Sequence, residues 1–360
     1  MNARYQRQLL LPGWGPDTQR RLSQAAVLVI GAGGLGCPAL QYLTAAGIGH
    51  IGLVDDDRVS VTDLHRQILY TDADLGVLKT EAAAAALSRL NPEVQVRTYP
   101  FRLTKERALE VIGGYDVVLD ASDNFATRYL VGDACALLQK PLVYGSVMRY
   151  EGQVSVFHKK NQPGGAHSFG YRDLFPTPPA PGEVPSCDEG GVLGVVAGII
   201  GNLQALEAIK LLTGLGEPLI GRLLTYDALG QRFYEVALTP RDVNGPRNVH
   251  GPQTAGEFAA WPYPDDECRY ATVDNATFNA LRARENVLVL DVREPGELPM
   301  APFPHERWPL SRLRQSPDVY QDRTIVVFCQ SGIRSREAAA LLAGRNIVFQ
   351  LKNGMAGWTR

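Results

Sequence analysis

A five-residue apolar run, Ala26-Val27-Leu28-Val29-Ile30, ends in Gly31-Ala32-Gly33-Gly34-Leu35-Gly36, and a helical pattern over residues 38–46 closes at Gly47. No other feature restricts the fold as much. An apolar run this short, stopped by glycine, reads as a buried strand. A glycine turn leading from such a strand into a helix suits a phosphate. Gly31 permits the tight turn, Gly33 and Gly34 let a phosphate approach the backbone, and Gly36 lets the helix pack on the sheet. The helix N-terminus then favours an anion. The next strand, residues 51–54, ends in Asp55, Asp56 and Asp57, where a ribose hydroxyl would be bound. Alone, this fits any Rossmann-like protein, including a nicotinamide or flavin dehydrogenase.

The pattern continues with an alanine-rich helix over 79–90, stopped by Asn91-Pro92, and strands at 94–96 and 117–119. Strands alternating with helices predict a parallel sheet covered on both faces. Strands at 141–144 and 153–157 lie too close for a crossover helix and pair directly. A proline-rich loop over 159–187 follows, and loops of this length tend to be functional. An apolar helix within 190–214 then precedes a hairpin at 221–238. Asn202, Gln204, Glu207 and Lys210 interrupt that helix, so it reads as buried, at a subunit interface, rather than membrane-spanning. Residues 240–266 are rich in Pro, Gly, Asn and Asp and read as a linker. Strands at 287–290 and 324–328, with a helix over 335–343, form a second, smaller α/β domain.

Composition removes several classes of function. Lys plus Arg is 36 against 38 for Asp plus Glu over 360 residues, which gives no electrostatic case for nucleic acid or an anionic membrane. Cys37, Cys135, Cys187, Cys268 and Cys329 form no CxxC pair, and five scattered thiols suit a reducing compartment. Arg4, Arg7 and Gln8 with no apolar segment after them argue against a signal peptide, so the expected location is the cytoplasm.

Residues beyond the acidic cluster separate a dehydrogenase from a nucleotidyltransferase. Arg66 and Gln67 follow Asp63-Leu64-His65, Lys79 opens the next helix, and Asp120-Ala121-Ser122-Asp123-Asn124 ends a strand. Strand C-terminal ends face the ligand crevice of an open sheet, so two cations and a carboxylate converge near the phosphates. Hydride transfer builds no charge on phosphate, whereas breaking a triphosphate does. Arg and Lys neutralise the oxygens and Asp holds Mg²⁺. Asp120 competes with Asp123 for the metal.

Residues 4–8 (Arg-Tyr-Gln-Arg-Gln), Gly31–Gly36, Asp55, Leu64-His65-Arg66-Gln67, Lys79, Ser122-Asp123-Asn124, Glu151-Gly152-Gln153 and Gly201-Asn202-Leu203-Gln204-Ala205-Leu206-Glu207-Ala208 resemble the ThiF/MoeB adenylyltransferases, relatives of ubiquitin-activating enzymes, over roughly 1–240. The resemblance implies MgATP-dependent activation of the C-terminal glycine of a small ubiquitin-like protein, ending in Gly-Gly, as an acyl-adenylate. It implies that Gly31, Gly33, Gly34, Gly36, Asp55, Asp57, Arg66, Gln67, Lys79, Asp123 and Asn124 contact the nucleotide. Asp123 holds Mg²⁺, and Arg7 reaches the partner's site in a homodimer. The substrate carboxylate is itself the nucleophile. Two departures stand out. Asp63 replaces the usual Asn, and this extra carboxylate either binds metal or weakens ATP binding. Residues 170–173 and 245–248 stand where many relatives place two zinc-binding CxxC pairs. The expectation is therefore no zinc, with the linker held by packing alone. Cys187 sits at the end of the crossover loop, where a cysteine of some relatives forms a thioester or disulfide with the carrier.

Cys329-Gln330-Ser331-Gly332-Ile333-Arg334-Ser335 lies between a strand and a helix, so backbone N–H groups, a helix N-terminus and Arg334 surround one sulfur. Only four residues separate Cys329 from Arg334, a tighter loop than cysteine phosphatases use. With Asp291-Val292-Arg293-Glu294-Pro295 and Gly354-Met355-Ala356-Gly357-Trp358, the segment resembles a single-domain rhodanese over roughly 268–360, although residues 298–310 lack the usual Gly-His-Ile stretch. The resemblance implies a Cys329 persulfide, loaded by a donor such as a cysteine desulfurase. The expected architecture is a Rossmann-like, mostly parallel sheet with an antiparallel extension (1–240), a linker (241–267) and a small rhodanese-like α/β domain (268–360). The expected activity is carrier adenylylation followed by transfer of sulfur to give a thiocarboxylate for molybdopterin, thiamine, cysteine or thio-tRNA synthesis. Thioester-based conjugation through Cys187, a Rossmann oxidoreductase and a non-catalytic adaptor stay open as alternatives.

Overall fold

The computed structural model describes residues 3–158, 169–178, 191–238, 251–263, 270–343 and 346–358. The chain divides into two compact units, the first reaching Trp261 and the second beginning at Pro262. Cys187, Cys268 and residues 245–248 lie outside the described residues.

The first unit is built on an eight-stranded sheet. Its strands are β1 (Ala26–Ile30), β2 (His50–Val54), β3 (Gln95–Tyr99), β4 (Val117–Asp120), β5 (Leu142–Met148), β6 (Glu151–Phe157), β7 (Arg222–Asp227) and β8 (Arg232–Ala237), in the order β3-β2-β1-β4-β5-β6-β7-β8. The first five are parallel, as helical crossovers require, and β5 to β8 are antiparallel. Only Arg149 and Tyr150 join β5 to β6, with Arg149 in the left-handed region at φ 55°, and so tight a connection admits antiparallel pairing alone. β1, β2 and β4 end side by side at Ile30, Val54 and Asp120. The apolar helix spans Gly194–Thr213. By length and composition it could cross a membrane. It instead packs on β4, β5 and β6 and on the Gly36–Ala46 helix. That packing needs small residues: a Cβ on Gly201 would lie 2.2 Å from Leu35 O.

The second unit is a five-stranded, all-parallel sheet of β9 (Tyr270–Val273), β10 (Val287–Asp291), β11 (Glu306–Arg307), β12 (Thr324–Phe328) and β13 (Ile347–Leu351), in the order β11-β10-β12-β13-β9. Buried clusters cover both faces, Leu290, Leu310, Ile325 and Leu342 on one side and Phe278, Phe303, Val326 and Phe328 on the other.

Three expectations are corrected. The strand read at 94–96 runs from Gln95 to Tyr99, and its polar residues suit its place at the sheet edge. The helices Lys105–Gly113 and Phe125–Leu138 escaped the sequence reading. Residues 126–135 are all buried, so the second helix shows no polar face to betray its period. The stretch read as linker contains the helix Ala255–Ala260, which packs against both of these helices. Nor is that region held by packing alone. Arg172 donates to Asp133 through Nε (2.7 Å) and Nη2 (2.8 Å), while its guanidinium lies 4.8 Å from the Tyr129 ring and 5.4 Å from the Trp261 ring.

Candidate functional site

The glycine loop leaves β1 through Gly31, whose φ is +98°. A side chain is excluded there because a Cβ would lie 2.7 Å from Ala121 O. At Gly36 a Cβ would meet Gly31 O at 2.0 Å, which fixes how closely the Gly36–Ala46 helix approaches the turn. Gly33 and Gly34 meet no such backbone constraint. Their nearest neighbours are the Gln67 amide nitrogen at 3.8 Å and the Ala197 Cβ at 3.2 Å, with Arg66 Cγ at 3.6 Å from Gly34. The loop is thus closed below by packing and lined by Arg66 and Gln67. Asp55 ties it to β2: one carboxylate oxygen accepts from Ala32 N at 2.8 Å and the other from Asp57 N at 2.8 Å. Burial raises the Asp55 carboxyl above its usual range, against the opposing pull of Lys79 and these two amides.

Asp63 is the hub of the cations. Its buried carboxylate accepts from Ser60 N (3.1 Å), Arg66 Nη2 (3.2 Å) and Gln67 Nε2 (3.1 Å), and lies 3.9 Å from Lys79 Nζ. Lys79 Nζ in turn donates to Asp57 at 3.1 Å. Burial alone would lower the Lys79 pKa, but Asp55, Asp57 and Asp63 together outweigh it and hold the ammonium charged. The structure therefore brings together the loop, Asp55, Asp57, Arg66, Gln67 and Lys79. The organising role of Asp63 was not read from the sequence, where it stood out only as a departure. Gly194 sits so close to the His65 backbone that a Cβ would lie 2.3 Å from its carbonyl oxygen, so the long helix braces this turn from beneath.

At the end of β4 the three acidic and amide candidates part. Asp120 is buried and turned inward, accepting from Ser122 N (3.0 Å) and Ser122 Oγ (2.6 Å), and burial raises its carboxyl despite Arg128 and those bonds. Asn124 caps the Phe125–Leu138 helix by accepting from Thr127 N at 2.9 Å, so its side chain serves the helix. Asp123 alone is exposed. It follows Ser122, whose backbone N is 3.3 Å from the Gly31 Cβ position, and so stands beside the loop. Among the described residues no three His, Cys, Asp or Glu side chains gather as a metal cage. A divalent cation at Asp123 would take its other ligands from phosphate and water, which suits Mg²⁺. Arg7 is exposed and far from this chain's own loop. Its neighbours Tyr5 and Gln8 bond Glu93 and Ala46, where β3 and β2 begin, whereas the loop lies where the strands end. Cys37 and Cys135 are buried; burial pushes the Cys37 thiol up to about 12, which makes it inert.

In the second unit Cys329 directly follows β12 and is fully buried. Gly332 N donates to its Sγ at 3.1 Å, and Ser335 Oγ lies 3.4 Å away. Gly332 takes φ +89° to turn the loop. Gly354 closes it, since a Cβ there would lie 2.4 Å from Cys329 O. Met355 N and Ala356 N bond the carbonyls of Cys329 and Gln330, each at 2.8 Å. Arg334 stands close enough to Cys329 for their charges to interact, while its hydrogen bonds go to Glu297, at 2.7 Å, and hold that carboxyl down to about 2. A residue the sequence reading left unassigned supports the loop instead. Fully buried Arg293 forks onto Asp291 (Nε to Oδ1 2.9 Å, Nη2 to Oδ2 2.8 Å) and donates through Nη1 to the Gln330 side chain at 3.2 Å. Its motif, Asp-x-Arg at a strand end, was the available signal.

Comparison with known proteins places this geometry. The ThiF family model matches residues 5–247 and the rhodanese-like domain model residues 274–360. The probable adenylyltransferase/sulfurtransferase MoeZ of Mycobacterium tuberculosis is 42% identical over 99% of this chain and 93% of its own. The sulfur carrier protein adenylyltransferase of Thermus thermophilus is 54% identical over 65% of this chain and 86% of its own. Adenylyltransferase and sulfurtransferase MOCS3 of Drosophila virilis is 38% identical over 99% and 83%. Among solved structures, Escherichia coli MccB with ATP superposes with a TM-score of 0.56 at 21% identity over 68% of this chain and 74% of that one, a likeness of fold.

Proposed function

This chain belongs to the ThiF family and carries a rhodanese-like domain behind it, and from that premise we propose that it adenylylates the C-terminal glycine of a small ubiquitin-like sulfur-carrier protein and then exchanges the adenylate for sulfur held on Cys329. The observation that carries the reading is the union, in one chain, of Arg66, Gln67 and Lys79 at a glycine loop with a cysteine cradled by a strand-to-helix turn. An oxidoreductase needs neither.

In the first step a carboxylate oxygen of the carrier attacks the α-phosphorus of ATP. The bond to the bridging oxygen breaks and pyrophosphate leaves. Negative charge grows on the leaving group, and Arg66 and Lys79 are placed to neutralise it. Lys79 reaches phosphate by leaving Asp57, a partner on the open side of its buried ammonium. Asp55 braces the loop for the ribose side of the nucleotide. Asp123 would hold Mg²⁺, which when bound draws charge from the phosphate oxygens. In the second step the outer sulfur of a Cys329 persulfide attacks the acyl carbon, AMP leaves, and an acyl disulfide forms. A second thiol then attacks the Cys329 sulfur, the thiocarboxylate leaves, and the disulfide formed between that thiol and Cys329 is reduced by a further thiol pair. The product's chemistry suits sulfur delivery to molybdopterin, thiamine, cysteine or thio-tRNA synthesis. Arg7 acts from a second copy of the chain, in a homodimer, because its own fold holds it at the opposite end of the sheet.

The test is carrier-dependent ATP–pyrophosphate exchange together with the mass of the carrier. Cys329→Ala is expected to keep exchange and lose the thiocarboxylate. Loss of both activities in a folded variant would break the proposed division of labour.

A further inference from the structure

The cradle of Cys329 is completed by a side chain from the strand beside it. Gln350, on β13, is buried, and its orientation is fixed because Gly332 O and Leu351 O, which can only accept, lie on one side of its amide, while Thr272 Oγ1 on β9 donates to its Oε1 at 3.2 Å. Nε2 must therefore face the loop. Its two hydrogens meet three acceptors: Gly332 O at 3.1 Å, Ser335 Oγ at 3.0 Å and Leu351 O at 2.5 Å. Ser335 Oγ also donates to Gly332 O at 3.1 Å, and it accepts from Cys329 Sγ at 3.4 Å. Gly332 O thus has three donors within reach, because Arg336 N also donates to it at 3.3 Å, while Ser335 has one hydroxyl proton and two places to send it.

We propose that Gln350 is a positioning residue for sulfur chemistry at Cys329: by donating to Ser335 Oγ, and by sharing Gly332 O with Arg336 N, it leaves the Ser335 hydroxyl proton free to turn toward the sulfur when the sulfur becomes an anion. In the thiol state Cys329 S–H points at Ser335 Oγ, and the hydroxyl points at Gly332 O. When the sulfur loses its proton to solvent base, the direction reverses. Ser335 O–H donates to Sγ beside the Gly332 N–H, Gln350 Nε2 holds Ser335 Oγ from the other side, and Arg336 N keeps Gly332 O satisfied. No buried acceptor is orphaned in either state, so the anion gains a donor without the cost of stranding a carbonyl. The inference rests on the reading that Cys329 is the sulfur-bearing residue, but its test does not require any sulfur to be transferred.

The experiment follows alkylation of Cys329 in the full chain by iodoacetamide as a function of pH, read by mass spectrometry of the Cys329 peptide. Ser335→Ala and Gln350→Met are each expected to move the pH–rate profile upward by about one pH unit, the size of one hydrogen bond to a charged group. The double variant is expected to shift no further than either single one, because both remove the same donor. Ser335→Thr, which keeps the hydroxyl, is expected to retain the wild-type profile. If Gln350→Met does not fold, Thr272→Val, which removes the donor to Gln350 Oε1 and loosens the side chain, is expected to give a smaller shift in the same direction. An unmoved profile in Ser335→Ala, or additive shifts in the double variant, overturns the proposal. Uptake of sulfur from thiosulfate onto wild-type Cys329 is measured alongside, and its failure would count against the sulfur-carrying role instead.

Discussion

Lys79 holds its charge in a buried place because three carboxylates face it. Lys79→Met is therefore expected to do two things. Carrier-dependent pyrophosphate exchange falls by about a hundredfold or more, as for loss of one group that stabilises transition-state charge. Asp55, Asp57 and Asp63 lose their shared counter-ion, so thermal unfolding moves to lower temperature, and more so at neutral pH than in acid, because burial raises the Asp55 carboxyl and acid neutralises it early. A stability loss without a rate loss would show Lys79 to be structural. His158 makes a second prediction at this scale. Its ring is buried and neutral, with burial pushing its pKa down to about 4 despite a bond to the Gly132 backbone. Above about 6.5, the ordinary histidine value, neither folded nor unfolded chain binds the proton; below it the unfolded chain does and the folded one does not. The contribution of His158 is thus complete above pH 6.5 and is lost as pH falls toward 4. Between pH 7 and 5 it amounts to roughly 2 kcal/mol. His158 has φ +58°, so Asn, which tolerates that region, is the replacement of choice. His158→Asn is expected to flatten this arm of the pH dependence in urea unfolding; an unchanged pH slope would contradict a neutral buried ring.

Among the elements, the long helix Gly194–Thr213 is fitted to its neighbours through close glycine approaches. A Cβ on Gly201 would lie 2.2 Å from Leu35 O, whereas one on Gly198 would meet nothing within 4 Å of the chain. Gly201→Ala is expected to destabilise by about 1–3 kcal/mol, the usual cost of overpacking. Because Leu35 belongs to the glycine loop, ATP affinity is expected to fall with it in a binding titration. Gly198→Ala should raise the melting temperature through helix propensity alone; a fall instead would place a second chain against that face. Elements also show what a sequence can display. The glycine turn, Lys79 and the Cys329 loop were readable because each breaks or starts a periodic run at a fixed place. The helix Phe125–Leu138 was not, since burial over 126–135 erased its amphipathic signature. Asn124 looked like a ligand because it neighbours Asp123, yet any Asn before a helix is first a capping candidate, and here it caps. The charge of Arg334 beside the sulfur was legible from their spacing; Glu297, 37 residues away, could be matched to it only in three dimensions. Asp63, Arg293 and Gln350 act through hydrogen bonds to other side chains, and such indirect roles leave no spacing to read.

For the whole molecule the decisive question is whose Arg7 serves which loop. Within one chain the short helix bearing Arg7 is pinned near the strand beginnings: Tyr5 accepts from Asn91 Nδ2 at 2.8 Å and Gln8 donates to Ala46 O at 3.1 Å. The glycine loop and Lys79 belong to the opposite, C-terminal edge of the same sheet. A sheet does not bend through its own length, so a role for Arg7 at the phosphates demands a second copy. This yields a complementation test. Arg7→Ala and Lys79→Met are each expected to abolish most carrier-dependent exchange as homodimers. In a mixed dimer one site receives Lys79 from the first variant and Arg7 from the second, and is wild-type in composition, while the other site lacks both. If subunits re-pair at random, half the dimers are mixed and half their sites are whole, so an equal mixture is expected to recover about a quarter of wild-type activity per chain, as arginines supplied in trans allow. If Arg7 instead served its own chain's loop, a mixed dimer would hold one site without Arg7 and one without Lys79, and mixing would recover nothing. Subunit exchange is checked beforehand with differently tagged chains, so that an absence of recovery is read as service in cis and not as a failure to mix.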